Sequence, residues 1–566
     1  MARDPEEGDA FVFDLVEDDA AGAAPAGSTA GSAAGAGDAG DDSDGLARAG
    51  PSAAGSPGRK RRATAQAAAV LAVVLGTGVA VEGIRDHERI ERMRELPGGV
   101  ADVSSPLTET WAWHGTVGPD GSTTDVAVLG DVLAFVSDGE LVGLDPATGE
   151  EAWTVALGAD AECGPTAWSP PSGPATSSLV CLQGASADRE VVVVGPQGAA
   201  SAPRTLDDAA ARRHGPPRIG PAATVLRAKR VGPLSAIDVA GVRCTDGGEC
   251  RGTVEAGRDL VLRAEDAATG VERWAVTVPF RAADATQCTR TFGGSWGSSA
   301  TRLVFSGELA PDAFGGWATP DRIDLNGCGI QAGVTPDGVV LGTELEPGRG
   351  GVVGLGATGY AVTRFDGVVR ATVHAVDGAV VGDVTGYPLV PRAVDEAGPT
   401  MVLGVDEVGR RLRAYGPDGT ARWDIPLQSG GQDFLAQVGE VAVVTTGAGG
   451  VRGLDRGTGA EKWDWNGSDP ASGGGSGYFG TAYVVQAFTD GESVLLRTES
   501  DTGGTHGLVA LDAASGAVVW DRPGGRPVPP FDPLGGDVLG QGVVGDLVAV
   551  DGHLLEVTPR GVRGLG

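Results

Sequence analysis

The sequence predicts an all-β protein, a seven- or eight-bladed β-propeller of four-stranded antiparallel blades, preceded by a disordered tail and one transmembrane helix. Three observations support this prediction: a repeated eleven-residue segment ending in tryptophan, many short strand-like runs, and one apolar stretch without charges. The chain contains 95 glycines and 35 prolines among 566 residues. Beyond the first sixty or so positions they divide runs rich in valine, leucine and threonine, which is typical of short strands joined by tight turns.

The repeat is the strongest of these signals, because self-similarity at this scale indicates a repeat architecture. In each full copy an aspartate lies eight residues before a tryptophan, with a glycine between them. The full copies are Gly143–Trp153, Ala264–Trp274, Gly453–Trp463 and Ala510–Trp520, and a shortened copy is Ala414–Trp423. The tryptophans predicted to pack between blades are therefore Trp153, Trp274, Trp423, Trp463 and Trp520.

Each copy is predicted to form a β-hairpin. The aspartate that ends its first strand can accept hydrogen bonds from backbone donors in the turn, and the glycine can adopt a positive φ that strains other residues. The second strand then carries the tryptophan inward. Upstream strands, such as Val132–Val136 before the first copy, extend each hairpin to an up-and-down blade.

The number of blades is estimated from the length of the repeat region. Roughly 460 residues are available, which suits seven or eight blades, and degenerate stretches such as Ser178–Leu206 and Val339–Val373 must supply those without a full copy. A ring of blades exposes two edges unless its ends meet. Because Val543–Leu565 has no tryptophan strand of its own, we predict that Thr110–Trp113 joins it and closes the ring.

One segment predicts a membrane anchor. Residues 63–81 carry no charge, and at about 1.5 Å rise per residue a helix of this length just spans a hydrocarbon core of about 30 Å. The basic residues at 59–62 precede it, so the positive-inside rule keeps the N-terminus in the cytoplasm and the C-terminal domain outside. The alternatives are a buried core helix and a cleavable signal peptide, for which the preceding region is too long.

The remaining organisation follows from this segment. Residues 1–62 are predicted to form a disordered acidic cytoplasmic tail that ends in the basic cluster. Within this tail, Phe11–Asp19 alternates apolar and acidic residues, and it either docks on a cytoplasmic partner or is a chance apolar patch. Residues 82–108 are expected to form a helical stalk and linker, and residues 109–566 the extracytoplasmic propeller. The expected localisation is a cell membrane, crossed once.

Composition excludes nucleic acid as a partner. The formal net charge is −32, whereas phosphate binding needs clustered lysine and arginine, and the only dense basic run is the one before the membrane segment. Lysine occurs only at Lys60, Lys229 and Lys462 while arginine is abundant. This bias suggests a bacterial genome of high GC content.

The cysteines predict disulfide bonds. All six lie on one side of the membrane segment, and an even number there fits an oxidising compartment. A zinc site would need more closely spaced pairs, so metal binding is disfavoured, and unpaired buried cysteines stay open. Short loops close most easily, which favours Cys163 with Cys181, Cys244 with Cys250, and Cys288 with Cys328.

The repeat resembles that of the pyrroloquinoline-quinone (PQQ)-like β-propeller family, in which a strand leads into Ala/Gly-Leu-Asp-x-x-Thr/Ser-Gly-x-x-x-Trp. Residues 143–153, 453–463 and 510–520 match this pattern nearly fully, 264–274 match it well and 414–423 in part. The family contains PQQ-dependent dehydrogenases and non-catalytic propellers. The repeat does not separate them, because its tryptophans pack blades in both.

The marker of the alcohol-oxidising members is missing. They hold the quinone against a disulfide between adjacent cysteines, with a calcium ion and an aspartate base, whereas this sequence has no Cys-Cys dipeptide. We nominate no catalytic, cofactor-binding or metal-binding residue, because no paired carboxylate or histidine dyad lies in the loops between the repeats. A soluble-type sugar dehydrogenase also lacks the adjacent cysteines, so a PQQ-dependent alcohol or aldose oxidoreductase, with PQQ and calcium, stays as the alternative.

The favoured function is a non-catalytic, membrane-anchored binding or scaffold module. It would need no cofactor and would recognise a protein or a cell-envelope component on a rigid face of the propeller. Loops usually carry recognition on such scaffolds. We expect the long stretch Ala202–Ala236 and the stretch Asn466–Tyr478 to be the loops that do so.

Overall fold

The computed structural model of this protein describes residues 86–118, 126–158, 160–165, 175–184, 189–245, 249–293, 302–305, 308–397, 400–406, 409–427, 433–446, 450–466, 482–500, 506–522 and 546–566. The chain divides into two compact units, residues 1–75 and 76–566, and the first lies wholly outside the described residues. The predicted tail with Phe11–Asp19 and the predicted membrane span at 63–81 lie outside them as well. No helix in the part of the chain that the structure describes is long and apolar enough to cross a membrane.

Nine sheets of four or five strands follow one another along the chain and form the blades of a propeller. The first strand, β1 (Glu109–His114), belongs to the last blade. Blade 1 contains β2 (Val126–Leu129), β3 (Val132–Ser137), β4 (Glu140–Leu144) and β5 (Glu151–Ala156). Blade 2 contains β6 (Glu162–Gly164), β7 (Leu179–Gln183), β8 (Glu190–Val194) and β9 (Arg204–Thr205).

The third blade carries additional structure between and after its strands. Blade 3 contains β10 (Pro217–Gly220), β11 (Thr224–Val231), β15 (Asp259–Asp266) and β16 (Glu272–Val278). The additional two-stranded sheets are β12 (Arg243–Cys244) with β13 (Cys250–Arg251), β14 (Thr253–Val254) with β17 (Ala283–Asp284), and β18 (Arg290–Gly293) with β19 (Arg302–Phe305).

Blades 4, 5 and 6 each span less of the chain than blade 3. Blade 4 contains β20 (Phe314–Ala318), β21 (Ile323–Gly327), β22 (Ile330–Val334) and β23 (Val340–Leu341). Blade 5 contains β24 (Gly350–Gly354), β25 (Tyr360–Phe365), β26 (Val369–His374) and β27 (Val380–Thr385). Blade 6 contains β28 (Tyr387–Leu389), β30 (Val402–Val405), β31 (Arg411–Tyr415) and β32 (Ala421–Pro426).

The last three blades complete the ring. Blade 7 contains β29 (Ala393–Val394), β33 (Phe434–Val438), β34 (Val441–Thr445), β35 (Val451–Asp455) and β36 (Glu461–Trp465). Blade 8 contains β37 (Ala482–Thr489), β38 (Ser493–Ser500), β39 (His506–Asp512) and β40 (Val518–Arg522). Blade 9 contains β41 (Asp546–Val550), β42 (His553–Thr558), β43 (Gly561–Leu565) and β1. The described helices are α1 (86–94), α2 (Asp208–His214) and α3 (Ala285–Cys288), with 3₁₀ turns at Leu234–Ala236 and Gly356–Thr358.

The all-β propeller was predicted, but the predicted number of blades is wrong. The described strands form nine blades, not seven or eight. The estimate came from the length of the repeat region, and several blades take up less of the chain than seven or eight blades of that length would. Blade 4 spans only Phe314–Leu341, and blade 5 only Gly350–Thr385.

The core of the protein lies between the blades. Each strand is pleated, so alternate side chains face the preceding and the following blade. Blades 1 and 2 share a buried cluster that includes Leu129 and Val192, and equivalent clusters join each later pair of blades. A further cluster, with Phe135 and Val562, joins blade 9 to blade 1. The sequence of clusters therefore forms a closed circle.

The predicted ring closure is confirmed. Strand β1 pairs antiparallel with β43, so the N-terminal end of the propeller supplies the outermost strand of its last blade. Trp111 lies opposite Gly564, and Trp113 lies opposite Val562. The Trp113 ring also meets Phe135 of blade 1 edge-on, with ring centroids 5.0 Å apart. Closure gives blade 9 its fourth strand and packs this blade against blade 1.

Four repeat tryptophans and Trp111 of β1 each lie over the third turn of the following blade, whereas Trp520 lies over the segment that precedes β1. Each indole Nε1 donates to a backbone carbonyl there, and the ring covers a glycine where the turn supplies one. The donor and acceptor pairs are Trp111 with Pro146 (3.1 Å), Trp153 with Pro196 (2.8 Å), Trp274 with Pro336 (2.8 Å), Trp423 with Arg456 (3.0 Å), Trp463 with Ala513 (3.0 Å) and Trp520 with Val103 (2.7 Å).

The predicted chemistry of the repeat turn is also confirmed. Asp145 Oδ1 accepts hydrogen bonds from the backbone N–H groups of Ala147 and Thr148, at 2.8 and 3.0 Å. Gly149 in the same turn has a φ of 72°. The Asp145 side chain therefore holds the turn. The turn in turn presents Gly149, which has no side chain, to the tryptophan that packs on it.

We predict that Gly516→Ala destabilises the protein much more than Gly439→Ala. Both glycines have a positive φ, 70° and 52°, so both substitutions cost about 1 kcal/mol in backbone strain. A Cβ at Gly516 would lie 2.5 Å from Trp463 Cδ2, whereas a Cβ at Gly439 meets nothing within 4 Å. Displacing the indole should cost roughly a further 1–3 kcal/mol. Denaturant unfolding of both variants measures the difference, and equal losses would contradict this account of the docking.

Blade 2 solves the same packing problem without a tryptophan. Arg204, in its last strand, donates from Nε to the Ala267 carbonyl oxygen of blade 3 at 2.8 Å. Its guanidinium group lies beside Gly270 and 3.3 Å from Glu265. An arginine can take the place of the indole because its guanidinium group is also planar and donates hydrogen bonds in its own plane.

The expectation that Ala202–Ala236 is a loop is wrong for most of its length. This stretch contains β9, α2, β10 and β11, and much of it is the inner half of blade 3. Val225, Leu226 and Arg227 are fully buried there. The absence of a repeat motif was misleading, since only the last hairpin of a blade carries it. The other expected loop, Asn466–Tyr478, lies outside the described residues except for Asn466.

Candidate functional site

The propeller has two faces with different connections. In every blade the first and third turns lie at one end of the strands, which we call the turn face. The second turns and the connections between blades lie at the opposite end, which we call the loop face. The tryptophan docking sites belong to the turn face, because they are third turns.

The N-terminal helix α1 lies on the turn face. Arg89 Nη1 donates to the carbonyl oxygen of Asp490, in the first turn of blade 8, at 2.7 Å. Met93 is fully buried next to Gly491 of the same turn. The chain then crosses to blade 9, where Ala101 N–H donates to the Gly552 carbonyl oxygen at 2.7 Å. The segment that leads into the propeller is thus attached to this face.

The same segment replaces a missing turn. The third turn of blade 9 does not exist, because β43 and β1 are the two ends of the propeller chain. Residues 103–107 occupy its place: Trp520 Nε1 donates to Val103 O, and Arg522 Nη1 donates to Leu107 O at 3.0 Å. Val103 N–H in turn donates to the buried Asp490 carboxylate at 3.1 Å. The lead-in segment therefore fastens blade 8 to blade 9.

The loop face carries a raised structure over blades 3 and 4. It consists of residues 232–258, from the second connection of blade 3, and residues 279–313, between blades 3 and 4; we call it the crown. The two insertions pair with each other where Thr253 lies opposite Asp284. Val254, Ala283, Cys288 and Cys328 form its small buried core. Residues 246–248, 294–301 and 306–307 of the crown lie outside the described residues.

One buried arginine holds the base of the crown. Arg230, near the end of β11, donates to the carbonyl oxygens of Arg258 at 2.7 Å and Cys328 at 2.7 Å. Its guanidinium carbon lies 5.8 Å from the centre of the Phe314 ring. Burial lowers the pKa of Arg230 to about 10, so it still carries its charge at neutral pH. Four carbonyl dipoles in reach of this cation compensate its desolvation.

A partly buried ion pair supports the same junction. Arg258 and Asp312, one from each insertion, are joined by two hydrogen bonds of 2.9 and 2.5 Å. The hydrogen bond to Asp312 raises the pKa of Arg258. The two insertions are therefore linked by charge as well as by strand pairing. The crown is a built part of the fold.

Disulfide bonds are present, as predicted from the cysteine count. Cys244 bonds to Cys250 and Cys288 bonds to Cys328, which closes one hairpin of the crown and ties the crown to blade 4. The third bond, Cys163 to Cys181, joins two strands of blade 2. None of the six cysteines is free. A metal would need their thiolates, and in the described part of the chain no three His, Cys, Asp or Glu side chains form a metal-binding group.

The crown presents an apolar ridge. Val231, at the end of β11, and Leu234 and Val239, in the first insertion, are exposed, and nearly every residue between them is exposed as well. Leu234, on a 3₁₀ turn, is 68% exposed. Exposed aliphatic side chains grouped on a rigid projection are typical of contact surfaces. We refer to Val231, Leu234 and Val239 as the crown ridge.

The residues predicted from the sequence and those of the crown have different roles. The five repeat tryptophans all lie at blade junctions on the turn face, and the six cysteines are all paired. Sequence reasoning missed the packing roles of Arg204 and Arg230, and it included Val231 and Leu234 of the crown ridge only as part of the stretch Ala202–Ala236. The cysteine spacing marked the crown without identifying it, since four of the six cysteines lie in or against it.

The repeat turns, the docked tryptophans and the closed ring define a β-propeller built in part from PQQ-like repeats. The profile of one family, described as outer membrane protein assembly factor BamB, matches residues 351–551. The resemblance to this family predicted from the repeats is confirmed over that part of the chain, roughly a third of its length. A search of curated proteins found no match.

Solved structures with similar folds include BamB from Moraxella catarrhalis, at 12% identity and a TM-score of 0.34, covering 81% of this chain and 99% of that one. Chaetomium thermophilum Sqt1, bound to the N-terminus of ribosomal protein L10, matches at 11% identity and a TM-score of 0.31, covering 81% and 99%. The C-terminal WD40 domain of Sif2 matches at 10% identity and a TM-score of 0.29, covering 70% and 97%. At these values the matches carry no argument about function.

Proposed function

We propose that this protein is a membrane-tethered, non-catalytic propeller that binds a protein partner outside the cytoplasm with its loop face. The observation that carries the proposal is the placement of two elements on opposite faces. Helix α1 lies on the turn face, and the crown rises from the loop face. The family profile described as an outer-membrane assembly factor is consistent with such a scaffold.

The tether would orient the molecule. Residues 63–81 precede α1 by only a few positions, so a membrane anchor there would tether the propeller through the helix on its turn face. The loop face would be opposite to the tethered face. In this arrangement the crown ridge is the part of blades 3 and 4 that an approaching partner meets first.

Recognition would rest on a rigid apolar surface. The insertion that carries the crown ridge is held at its base by Arg230 and pairs with the second insertion, which a disulfide bond ties to blade 4, so binding would cost little ordering of the backbone. Burying a fully exposed leucine or valine side chain contributes roughly 1.5–3 kcal/mol. A few such contacts would supply the centre of an interface.

The proposal predicts that Leu234→Asp abolishes partner capture whereas Val271→Asp does not. The two side chains are 68% and 65% exposed on the same blade, but Val271 lies in a third turn, on the turn face. The full-length variants would be expressed in the native host, and intact cells treated with a membrane-impermeant crosslinker before affinity purification. Loss of the crosslinked partner by Leu234→Asp alone is the expected result.

Two outcomes would contradict the proposal. Equal capture by both variants would exclude the crown ridge, and crosslinking only by a membrane-permeant reagent would exclude the outward orientation. The oxidoreductase alternative is tested on the full-length protein in detergent with PQQ and calcium added. Quinone absorbance that stays with the protein, together with dye-linked turnover of an alcohol or aldose, would overturn the non-catalytic function.

A further inference from the structure

A second exposed feature of the loop face lies at the tip of blade 5. Its second turn joins β25 to β26, and Phe365 and Val368 in this hairpin are both exposed. Tyr387, which begins blade 6, is exposed as well. The Gly386 N–H donates to the Val369 carbonyl oxygen at 2.8 Å, which brings the start of blade 6 against this hairpin. We call Arg364, Phe365, Val368, Arg370 and Tyr387 the blade 5 tip.

Strand alternation gives the tip two sides. Tyr360 and Val362 of β25 pack towards blade 4, and Ala361 packs towards blade 6. Side chains two positions apart on a strand share a side, so Phe365 lies towards blade 6, where Tyr387 begins. Arg364 lies on the other side, and Arg370 is its direct cross-strand partner. An aromatic side and a basic side thus flank one turn.

The two arginines are not neutralised within the fold. Both are exposed, and neither side chain has an ion-pair or hydrogen-bond partner among the described residues. Asp366 lies in the same turn, which leaves the three charged residues of the hairpin with one net positive charge. The chain as a whole has a formal net charge of −32. Two adjacent unpaired arginines are unusual in this setting, because nearby carboxylates engage many of the other arginines.

The backbone of the tip is well anchored. Phe365 N–H donates to the Arg349 carbonyl oxygen at 2.8 Å, which ties the hairpin to the connection from blade 4. Gln287 of the crown donates to the Pro347 carbonyl oxygen of that connection at 2.5 Å. The crown and the blade 5 tip are therefore neighbouring parts of one surface.

We propose that the blade 5 tip binds an extended, acidic segment of the protein partner, whose carboxylates pair with Arg364 and Arg370 and whose apolar side chains contact Phe365 and Tyr387. This inference rests on the proposed function and names the chemistry of the partner. Arginine and tyrosine are the residues that most often dominate protein interfaces. Extended strands alternate their side chains, so one peptide can present carboxylates to one side of the turn and apolar groups to the other.

The test is a binding titration of the full-length protein in detergent with a fluorescent peptide of alternating glutamate and leucine. We expect the Arg364→Glu, Arg370→Glu double variant to weaken binding at least tenfold, and Tyr387→Ala several-fold. Binding should fall with added salt, since the pairing charges are exposed. The matched control is Arg212→Glu, Arg213→Glu, which makes the same change in net charge on exposed residues of α2.

The other outcomes identify a different surface or ligand. No binding of the peptide to the wild-type protein, or equal losses in the two double variants, would overturn the proposal. A peptide with lysine in place of glutamate should not bind. If polyphosphate competes fully and Tyr387→Ala has no effect, the site recognises a polyanion, and the peptide proposal fails.

Failure of the blade 5 tip proposal can be distinguished from failure of the proposed function. Should Leu234→Asp abolish partner capture while the arginine variant changes neither capture nor peptide binding, the proposed function stands and the blade 5 tip is excluded. If the peptide binds at the tip but no partner is captured with either the impermeant or the permeant crosslinker, the tip stands as a site and the proposed function fails.

Discussion

Deletion of residues 108–115 is expected to lower the melting temperature of the full-length protein by at least about 10 °C. The deletion removes β1 and with it Trp111 and Trp113, which are partly buried; truncating a fully buried tryptophan costs roughly 3–5 kcal/mol, and two partly buried ones together should cost a comparable amount. It also leaves β43 as the outer edge of blade 9 and removes two aromatic rings from the cluster that joins blade 9 to blade 1. Thermal unfolding followed by circular dichroism measures the change.

The control for this deletion is Thr110→Ala. Thr110 is exposed on β1, so its substitution should change the free energy of unfolding by less than about 0.5 kcal/mol. Replacing Trp111 alone by alanine should lower the melting temperature more than Thr110→Ala does and less than the deletion does. A melting temperature that the deletion leaves unchanged would mean that β1 does not hold the ring closed.

Glu265→Ala is expected to cost about 3–5 kcal/mol of folding stability. The Glu265 carboxylate lies 3.6 Å from Arg227 and 3.3 Å from Arg204, and the side chains of Glu265 and Arg227 are 8% and 2% exposed. Burial lowers the pKa of Arg227, but a guanidinium group stays charged at neutral pH. Removing the glutamate therefore leaves a buried cation without its counter-charge.

Glu272→Ala is the matched control, because Glu272 is the cross-strand partner of Glu265 in the same blade. Its carboxylate lies 2.6 Å from Arg263 but is 44% exposed, so the pair should contribute less than about 1 kcal/mol. Urea unfolding of both variants at low and high salt distinguishes the buried charge interaction of Glu265 from the exposed one of Glu272. Equal losses, or a loss in Glu265→Ala that salt removes, would contradict a buried electrostatic role.

The repeat could be predicted because its chemistry is local. Asp145, Gly149 and Trp153 lie within nine residues of one another, and each acts through its own turn or the next blade. Ring closure could also be predicted, since the last blade lacked a strand and β1 was unassigned. In the repeat, the backbone donors of a turn need acceptors, and neighbouring residues supply them. In ring closure, an unpaired strand edge needs a partner, and the other end of the chain supplies it.

The blade count could not be predicted, because several blades use other means to pack. Arg204 docks on Ala267, a residue 63 positions away, with a chemistry that the repeat pattern does not contain. Blade 4 pairs only two residues in its last strand. Without a tryptophan to mark their ends, these blades resemble loops in the sequence, and the stretch that contains β10 and β11 was misjudged for this reason.

The sequence by itself determined the repeat hairpins, the closure of the ring and the presence of disulfide bonds, because each depends on a few residue types at short spacing or on the chain ends. Only the tertiary structure decided the number of blades, the crown, the blade 5 tip and the face on which each element lies. The crown depends on Arg230 reaching Cys328, 98 positions away, and on the pairing of two separate insertions. Such contacts arise when the ring brings distant segments together, and no local pattern encodes them.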